Sequence, residues 1–443
     1  MKKTEIKKII ALWQDRFLQI EGITRDYEKD IFSSLGSKPI KIITGFRRAG
    51  KSFLTQQVAR RAVNQQLVHS RNILYLNFED FRLADINSPE SLNDIYEVFN
   101  TEIAEKGKKL LIFDEIQTVR DWDKFIRTLY ELEDESEIII TGSNSALLSS
   151  ELGSNLAGRF IEFFILPFNF EEYLTYHGIE LSDEFEFYRR RSEIKRYFNQ
   201  YVQFGGLPET FAISTEDAKK SYLQGIISKV ILDDIVKRFS IKRADVVEMI
   251  LHYIALNNGN LTAFSRITNH LKNRGSDVTQ DTVITYIGYI IKTFAIFEVK
   301  KFDWKLQRIF ETTRKYFMVD TGLLNLYENT TANLSKQLEN IVFLNLARKK
   351  QFPFFGELSH GKEIDFIAKE TNSDFVKIQV TMTLDDENTK RELSSYSLAD
   401  KYLKKGKNLL LSLDETEESL VYKHTIIERK NIIKWLLRLG VAS

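Results

Sequence analysis

The 443-residue sequence has no cysteine. Disulfides, thiol nucleophiles and cysteine-ligated metals are excluded, and a reducing cytoplasmic setting is expected. Proline is scarce at 5 residues and glycine modest at 20, which leaves no room for proline- or glycine-rich low-complexity tracts. No stretch approaches the roughly eighteen consecutive apolar residues of a membrane span, so no membrane partner is expected. Charge of one sign is lacking as well. Lys and Arg total 63 against 62 Asp and Glu, a net charge of +1. No global field then draws the chain to nucleic acid, and any such contact must come from a local patch. The amino-terminal MKKTEIKKIIALWQ is basic, then apolar, but Asp15, Arg16 and Glu21 interrupt it and no small-residue cleavage site follows. Ile9, Ile10, Trp13 and Phe17 fall at helical spacing, which predicts an amphipathic helix packed on the first domain.

What is abundant is core material: 32 Phe, 18 Tyr and 43% hydrophobic residues overall. At this length the chain is expected to form about three or four domains.

The first carries a phosphate-binding loop. Ile40, Ile42 and Ile43 lead into Gly45-Phe46-Arg47-Arg48-Ala49-Gly50-Lys51-Ser52, the complete G-x-x-x-x-G-K-[ST] pattern, and a helix is expected from about Gly50, with Phe53, Leu54, Val58, Ala59 and Ala62 at helical spacing. Glycines let successive N–H groups turn inward on phosphate oxygens, and the following helix adds the positive end of its dipole. Gly45 through Ser52, with Phe53, are therefore the expected nucleotide contacts. Lys51 would reach the β- and γ-phosphates, and the Ser52 hydroxyl would be a Mg²⁺ ligand. Upstream, Tyr27 and Ile31 suit either a base pocket or plain core packing.

Lys109-Leu110-Leu111-Ile112-Phe113-Asp114-Glu115 is an apolar strand that ends in two carboxylates, the Walker B pattern. Asp114 is expected to hold Mg²⁺, and Glu115 to polarise the attacking water. A further strand, Glu137 to Thr141, ends in Gly142-Ser143-Asn144-Ser145. Ser143 or Asn144 there could touch the γ-phosphate or cap a helix. Arg159, just before a fifth strand, is a candidate to stabilise charge on the transferring phosphoryl group in its own or a neighbouring subunit; a surface ion pair is the alternative.

These motifs, with Ala157-Gly158-Arg159 and the Leu166-to-Tyr173 stretch LPFNFEEY, resemble the prokaryotic AAA-type P-loop ATPases that carry a C-terminal domain of unknown function, relatives of the archaeal AAA and STAND-like ATPases. The resemblance implies an α/β P-loop NTPase with a parallel sheet ordered 5-1-4-3-2. It also implies the roles of magnesium ligand, catalytic glutamate, sensor and arginine for the residues above.

Four domains are expected: an ATPase core over 1–168, a helical lid over 169–240, a winged-helix domain over 241–330 and a restriction-endonuclease-like domain over 331–443. The lid contains Phe204-Gly205-Gly206-Leu207-Pro208, a turn where a hinge could sit. Asp233 and Asp234 read as a salt-bridged helix face with Lys237 and Arg238. In the winged helix, Thr279, Gln280, Thr282 and Thr285 lie on the third helix, with Lys272, Arg274, Lys300, Lys301, Lys305 and Arg308 around it. That suits phosphate contacts, but the helix has no arginine, and docking on protein is equally in keeping. In the last domain Glu339 and Asp365 match the nuclease carboxylates. Gln379-Val380-Thr381 stands where an acid and a lysine are required, so an inactive domain is expected, with Lys377 or Glu363 the only conceivable substitutes.

The sequence thus predicts a Mg²⁺-dependent ATPase acting on a protein or nucleic-acid partner, with a homo-oligomer open. The alternatives are an ATP-gated nuclease or DNA-binding protein, and an ATP-bound switch that does not hydrolyse.

Overall fold

Apolar runs buried on both faces make parallel strands, and four such runs share one sheet here with a partly exposed fifth strand at its edge. In the computed structural model, which describes residues 1–148, 156–304, 308–327, 334–369, 374–403 and 406–439, β1 (Ile40–Gly45), β2 (Ile73–Asn77), β3 (Lys109–Asp114), β4 (Ser136–Gly142) and β5 (Phe160–Ile165) are ordered β2-β3-β4-β1-β5. Read from the other edge, that is 5-1-4-3-2. Every residue of β1 is buried. Even Lys41 is, its ammonium bonded to Glu137 and to the Ser37 carbonyl.

The chain divides into two compact units, Met1–Ile165 and Leu166–Ser443. In the first, helix α1 (Lys3–Leu18) buries Ile6, Ile9, Ile10, Trp13 and Phe17, the stripe its spacing predicts. It packs on β2, α3 (Lys51–Asn64) and α4 (Pro89–Glu102); α2 (Asp26–Ser34) also lies against α3.

The first unit also holds the helix Trp122–Leu132, and the second unit holds further helices and an eight-stranded mixed sheet. Three helices, Ala244–Leu256, Phe264–Asn273 and Gln280–Lys292, precede the hairpin β6 (Ile296–Asp303) and β7 (Arg308–Met318), the expected winged-helix order. The hairpin does not end that structure. β6 also pairs in parallel with β8 (Phe354–Glu357) through Lys301 and Phe355, and the sheet runs on through β9 (Glu363–Lys369), β10 (Phe375–Val380), β11 (Lys407–Ser412), β13 (Thr425–Asn431) and β12 (Glu418–Tyr422). Residues on either side of position 330 thus share one hydrogen-bonded sheet. Main-chain pairing of this kind leaves no side-chain pattern for a sequence reading to find.

Two local features also differ from simple expectation. Val230–Lys237, which contains Asp233 and Asp234, is wound as a π-helix. The Gly205-Gly206 turn is pinned in place: Asp320 accepts the Gly206 N–H at 2.6 Å, and Phe168 donates its N–H to the Gly206 carbonyl at 2.8 Å. Lys305 lies outside the described residues.

Candidate nucleotide site

The loop between β1 and α3 is shaped by two glycines. Gly45 has φ +149°, and a Cβ there would meet the Ile165 carbonyl oxygen at 2.1 Å. Gly50, at φ +94°, caps α3 in a left-handed conformation. Lys51 opens the helix and is buried. Its Nζ donates to the carbonyls of Gly45 (3.1 Å) and Phe46 (3.2 Å), and lies 3.4 Å from Glu115 Oε1. Phe46 and Ala49 are buried, whereas Arg48 is exposed at φ +65°. Arg47 Nη1 pairs with Glu79 Oε1 at 3.1 Å. Phe53 is exposed, with its ring against Gly22. Tyr27 and Ile31 belong to the core cluster, in line with the packing alternative.

Asp114, at the end of β3, is fully buried. Its Oδ1 accepts from the Thr141 hydroxyl at 2.5 Å; its Oδ2 accepts from Tyr75 (3.1 Å) and from Asn77 Nδ2 (2.9 Å). The Ser52 hydroxyl bonds the same carboxylate. Burial, with Glu115 beside it, pushes Asp114 up to about 6. A buried carboxylate that resists its own charge, next to a hydroxyl, is a fitting pair of hard oxygen donors for Mg²⁺. No cluster of three or more His, Cys, Asp or Glu able to hold a metal exists among the described residues. Two protein donors completed by substrate phosphates are the usual arrangement for this ion.

Glu115 adopts φ +56°, a rare conformation for a non-glycine residue. Its N–H donates to Thr141 Oγ1 at 3.0 Å, so one hydroxyl ties both Walker B residues to β4. Its Oε2 accepts from the Ser143 N–H at 3.2 Å and from Gln117 Nε2. Burial alone would raise the Glu115 carboxyl. Lys51, Gln117, Arg47 and Ser143 outweigh it and hold the group below its ordinary range, so it is ionised at neutral pH. Ser143 and Asn144 are both buried at the tip of β4, and Ser143 meets Glu115 through its main chain.

Arg159 is not brought to this cluster. β5 runs parallel to β1, with Phe160 opposite Ile40 and Ile165 opposite Gly45. Arg159 therefore sits at the far end of the strand, roughly 20 Å of strand rise from the loop, 3.7 Å from Glu131. Within its own chain it cannot serve the site, because the register points it away.

Several residues of the site escape sequence reasoning. Thr141, Asn77 and Tyr75 are polar side chains in apolar strands, and only the parallel register of β2, β3 and β4 brings them to Asp114, with Asn77 opposite it and Tyr75 opposite Ile112, two residues earlier. The polarity of Asn77 and Thr141 near their strand ends is the available signal. Gln117 lies two residues past Glu115. Buried Arg25 donates to the Ala49 carbonyl at 2.9 Å, with its guanidinium 5.0 Å over the Tyr27 ring.

The second unit holds the other carboxylate group. Gln379 is engaged at both ends: its oxygen accepts the Asp365 N–H (2.7 Å) and its nitrogen donates to Glu392 (3.0 Å). Asp365 accepts the Val380 N–H at 2.8 Å, and Thr381 donates to the Thr383 carbonyl. Lys377 is committed to Asp400 (2.6 Å) and to the Leu403 carbonyl, and Glu363 to buried Lys315. Lys377 is thus occupied elsewhere, whereas Glu363 and its partner Lys315 lie close enough to act electrostatically on both Glu339 and Asp365. Burial pushes Glu339 up to about 7 against the pull of Lys315, and raises Asp365 well above its ordinary value.

A family model described as an AAA domain matches residues 37–174, and one described as a domain of unknown function matches residues 195–334. The uncharacterized protein MJ1544 of Methanocaldococcus jannaschii is 30% identical over 420 residues, 94% of this chain and 91% of that protein. An uncharacterized protein of Haemophilus influenzae is 30% identical over 401 residues, 90% of this chain and 94% of its own length. Among solved structures, the Walker-type ATPase PABY2304 of Pyrococcus abyssi aligns with 70% of this chain and 99% of its own, at 17% identity and a TM-score of 0.45. The chain carries an AAA domain of the P-loop type and belongs to one protein family with MJ1544 and the Haemophilus protein.

Proposed function

We propose that the chain binds ATP with Mg²⁺, hydrolyses it, and uses the cycle to switch its grip on a macromolecular partner. The observation that carries this is the convergence of Lys51, Ser52, Asp114 and an ionised Glu115 around the β1–α3 loop. Lys51 would leave its carbonyl and carboxylate partners for the β- and γ-phosphates. Ser52 and Asp114 would hold Mg²⁺, which when bound neutralises phosphate charge. Glu115 would take the proton of the attacking water, and Ser143 or Asn144 would touch the γ-phosphate. Arg159 is left with a role toward the site of a neighbouring copy, which makes a homo-oligomer part of the reading.

The partner would be engaged by the winged-helix domain over 241–330, with 169–240 as the lid and 331–443 as a silent nuclease-like domain. A protein partner is favoured over DNA by the exposed face of the Gln280–Lys292 helix, where Asp281 and Ile284 stand beside Gln280 and Thr285. Lys301 and Arg314 on the hairpin are already paired with Glu357 and Glu298. Among the described residues no helix is long and apolar enough to cross a membrane.

The test is phosphate release from Mg–ATP by wild type and Glu115→Gln, with and without mixed-sequence duplex DNA. Turnover that is lost in the variant and indifferent to DNA supports the reading. Stimulation by DNA would replace the protein partner with nucleic acid, and absence of turnover would leave an ATP-bound switch.

A further inference from the structure

We infer that Gln117 is a positioning residue for ATP hydrolysis: its carboxamide tethers the Glu115 carboxylate when phosphate draws the other donors away. The inference rests on the ATPase reading above and deepens it.

The Glu115 carboxylate is held by three donors of different kinds: the Lys51 ammonium, the Ser143 N–H and Gln117 Nε2. In the proposed cycle the first two lie on elements that turn to the γ-phosphate, so a bound triphosphate competes with Glu115 for both. Gln117 is not in that competition. It sits on the short 3₁₀ turn Ile116–Thr118 that directly follows Glu115, so its tether moves with the residue it holds. Without it, a carboxylate released by Lys51 would be drawn by the nearby charge of Arg47, which already acts on it.

The orientation of the amide is forced. A carboxylate only accepts, so the NH₂ end must face Glu115. The Gln117 carbonyl oxygen is consequently buried with no hydrogen-bond partner. A buried acceptor left unpaired is unfavourable, and its place beside the Glu115 carboxylate calls for a positional explanation. The structure makes room for it. A Cβ on Gly142 would lie 2.5 Å from that oxygen and 1.9 Å from Leu147 Cδ1, so a residue without a side chain at this point is what lets the carboxamide fit.

The experiment uses the full chain and four proteins: wild type, Gln117→Met, Glu115→Gln and the double variant, with Gln117→Ala as a second probe should the methionine not be accommodated. Methionine keeps the length of the side chain and removes both donors. We expect kcat to fall about 10- to 100-fold in Gln117→Met, the scale of a hydrogen bond to a charged group, with KM and the ATP dissociation constant unchanged. The double variant should turn over no more slowly than Glu115→Gln alone, because Gln117 acts through Glu115. A wild-type kcat in Gln117→Met and Gln117→Ala, a loss that adds to that of Glu115→Gln, or a loss of ATP binding would each overturn the inference. So would failure of both single variants to fold, which would assign Gln117 to stability. No phosphate release from wild type would instead remove the ATPase reading, and the inference with it.

Discussion

Trp13 of the amino-terminal helix stacks on Tyr75 of β2, with ring centroids 5.0 Å apart and planes 20° off parallel. The Tyr75 hydroxyl in turn donates to Asp114 Oδ2 and lies 3.0 Å from Thr55 Oγ1. A segment far outside the nucleotide motifs therefore buttresses the carboxylate assigned to Mg²⁺. Tyr75→Phe keeps the stack and deletes the hydroxyl. It should leave the fold intact and raise the Mg²⁺ concentration for half-maximal turnover about tenfold or more, as loss of a partner behind a metal ligand does. A titration of activity against Mg²⁺ at saturating ATP reads this; an unchanged midpoint would show that Asp114 needs no help from β2.

Lys51 and Glu115 should separate binding from chemistry. Lys51→Ala removes the only lysine of the loop and leaves Glu115 buried without that countercharge. Titration with a fluorescent ATP analogue should show no saturable binding. Glu115→Gln should bind the analogue normally while kcat drops about 10²- to 10⁴-fold, the range for loss of a general base. Equal loss of binding in both would mean that Glu115 supports the loop rather than the reaction.

Gly45→Ala tests the loop geometry itself. Its Cβ would sit 2.1 Å from the Ile165 carbonyl, closer than any side chain tolerates, and at φ +149°. The strand β1 must then shift against β5. Stability should fall by about 1–3 kcal/mol, as overpacking does, and ATP binding should go with it, as read by urea unfolding and by nucleotide titration. Retained ATP affinity would show that the loop tolerates displacement.

A pH signature is expected from Asp320. Burial pushes its carboxyl up to about 6, even with the N–H groups of Gly206, Leu323, Gly322 and Leu207 pulling it down. The folded form therefore holds this proton more tightly than the unfolded chain, whose carboxyl keeps its usual value of 3.8. The resulting stabilisation is fully present below pH 4 and is lost as pH rises through 6, a difference of about 3 kcal/mol at 1.36 kcal/mol per pH unit. Subtracting the urea-unfolding stability of Asp320→Asn from that of wild type at each pH isolates it. A flat difference between pH 4 and 7 would mean that the backbone donors keep Asp320 ionised.

The parts of the site that could be read from sequence are those whose chemistry demands contiguous residues. The phosphate loop needs its glycines, lysine and serine in one turn, and Asp114 and Glu115 need only the end of one strand. Everything that depends on register is silent in one dimension. Thr141 reaches Asp114 and Glu115 because β4 lies beside β3, and Arg159 is carried away because β5 starts where β1 starts. The sheet order came from resemblance to a family, not from periodicity. In the second unit the helix and strand pattern of a winged helix is legible. Lys315 is not: it enters the carboxylate group of β9 from β7, a strand some fifty residues upstream, and nothing local marks it.

The pairing of β6 with β8 makes the second unit hard to dissect. Cutting the chain at 330 would leave β6 paired with β7 alone and open its other edge, the one that β8 covers, to pairing with other chains. The strands before and after position 330 thus shield one another's edges, and neither part can be removed without baring main-chain hydrogen-bonding groups on the other.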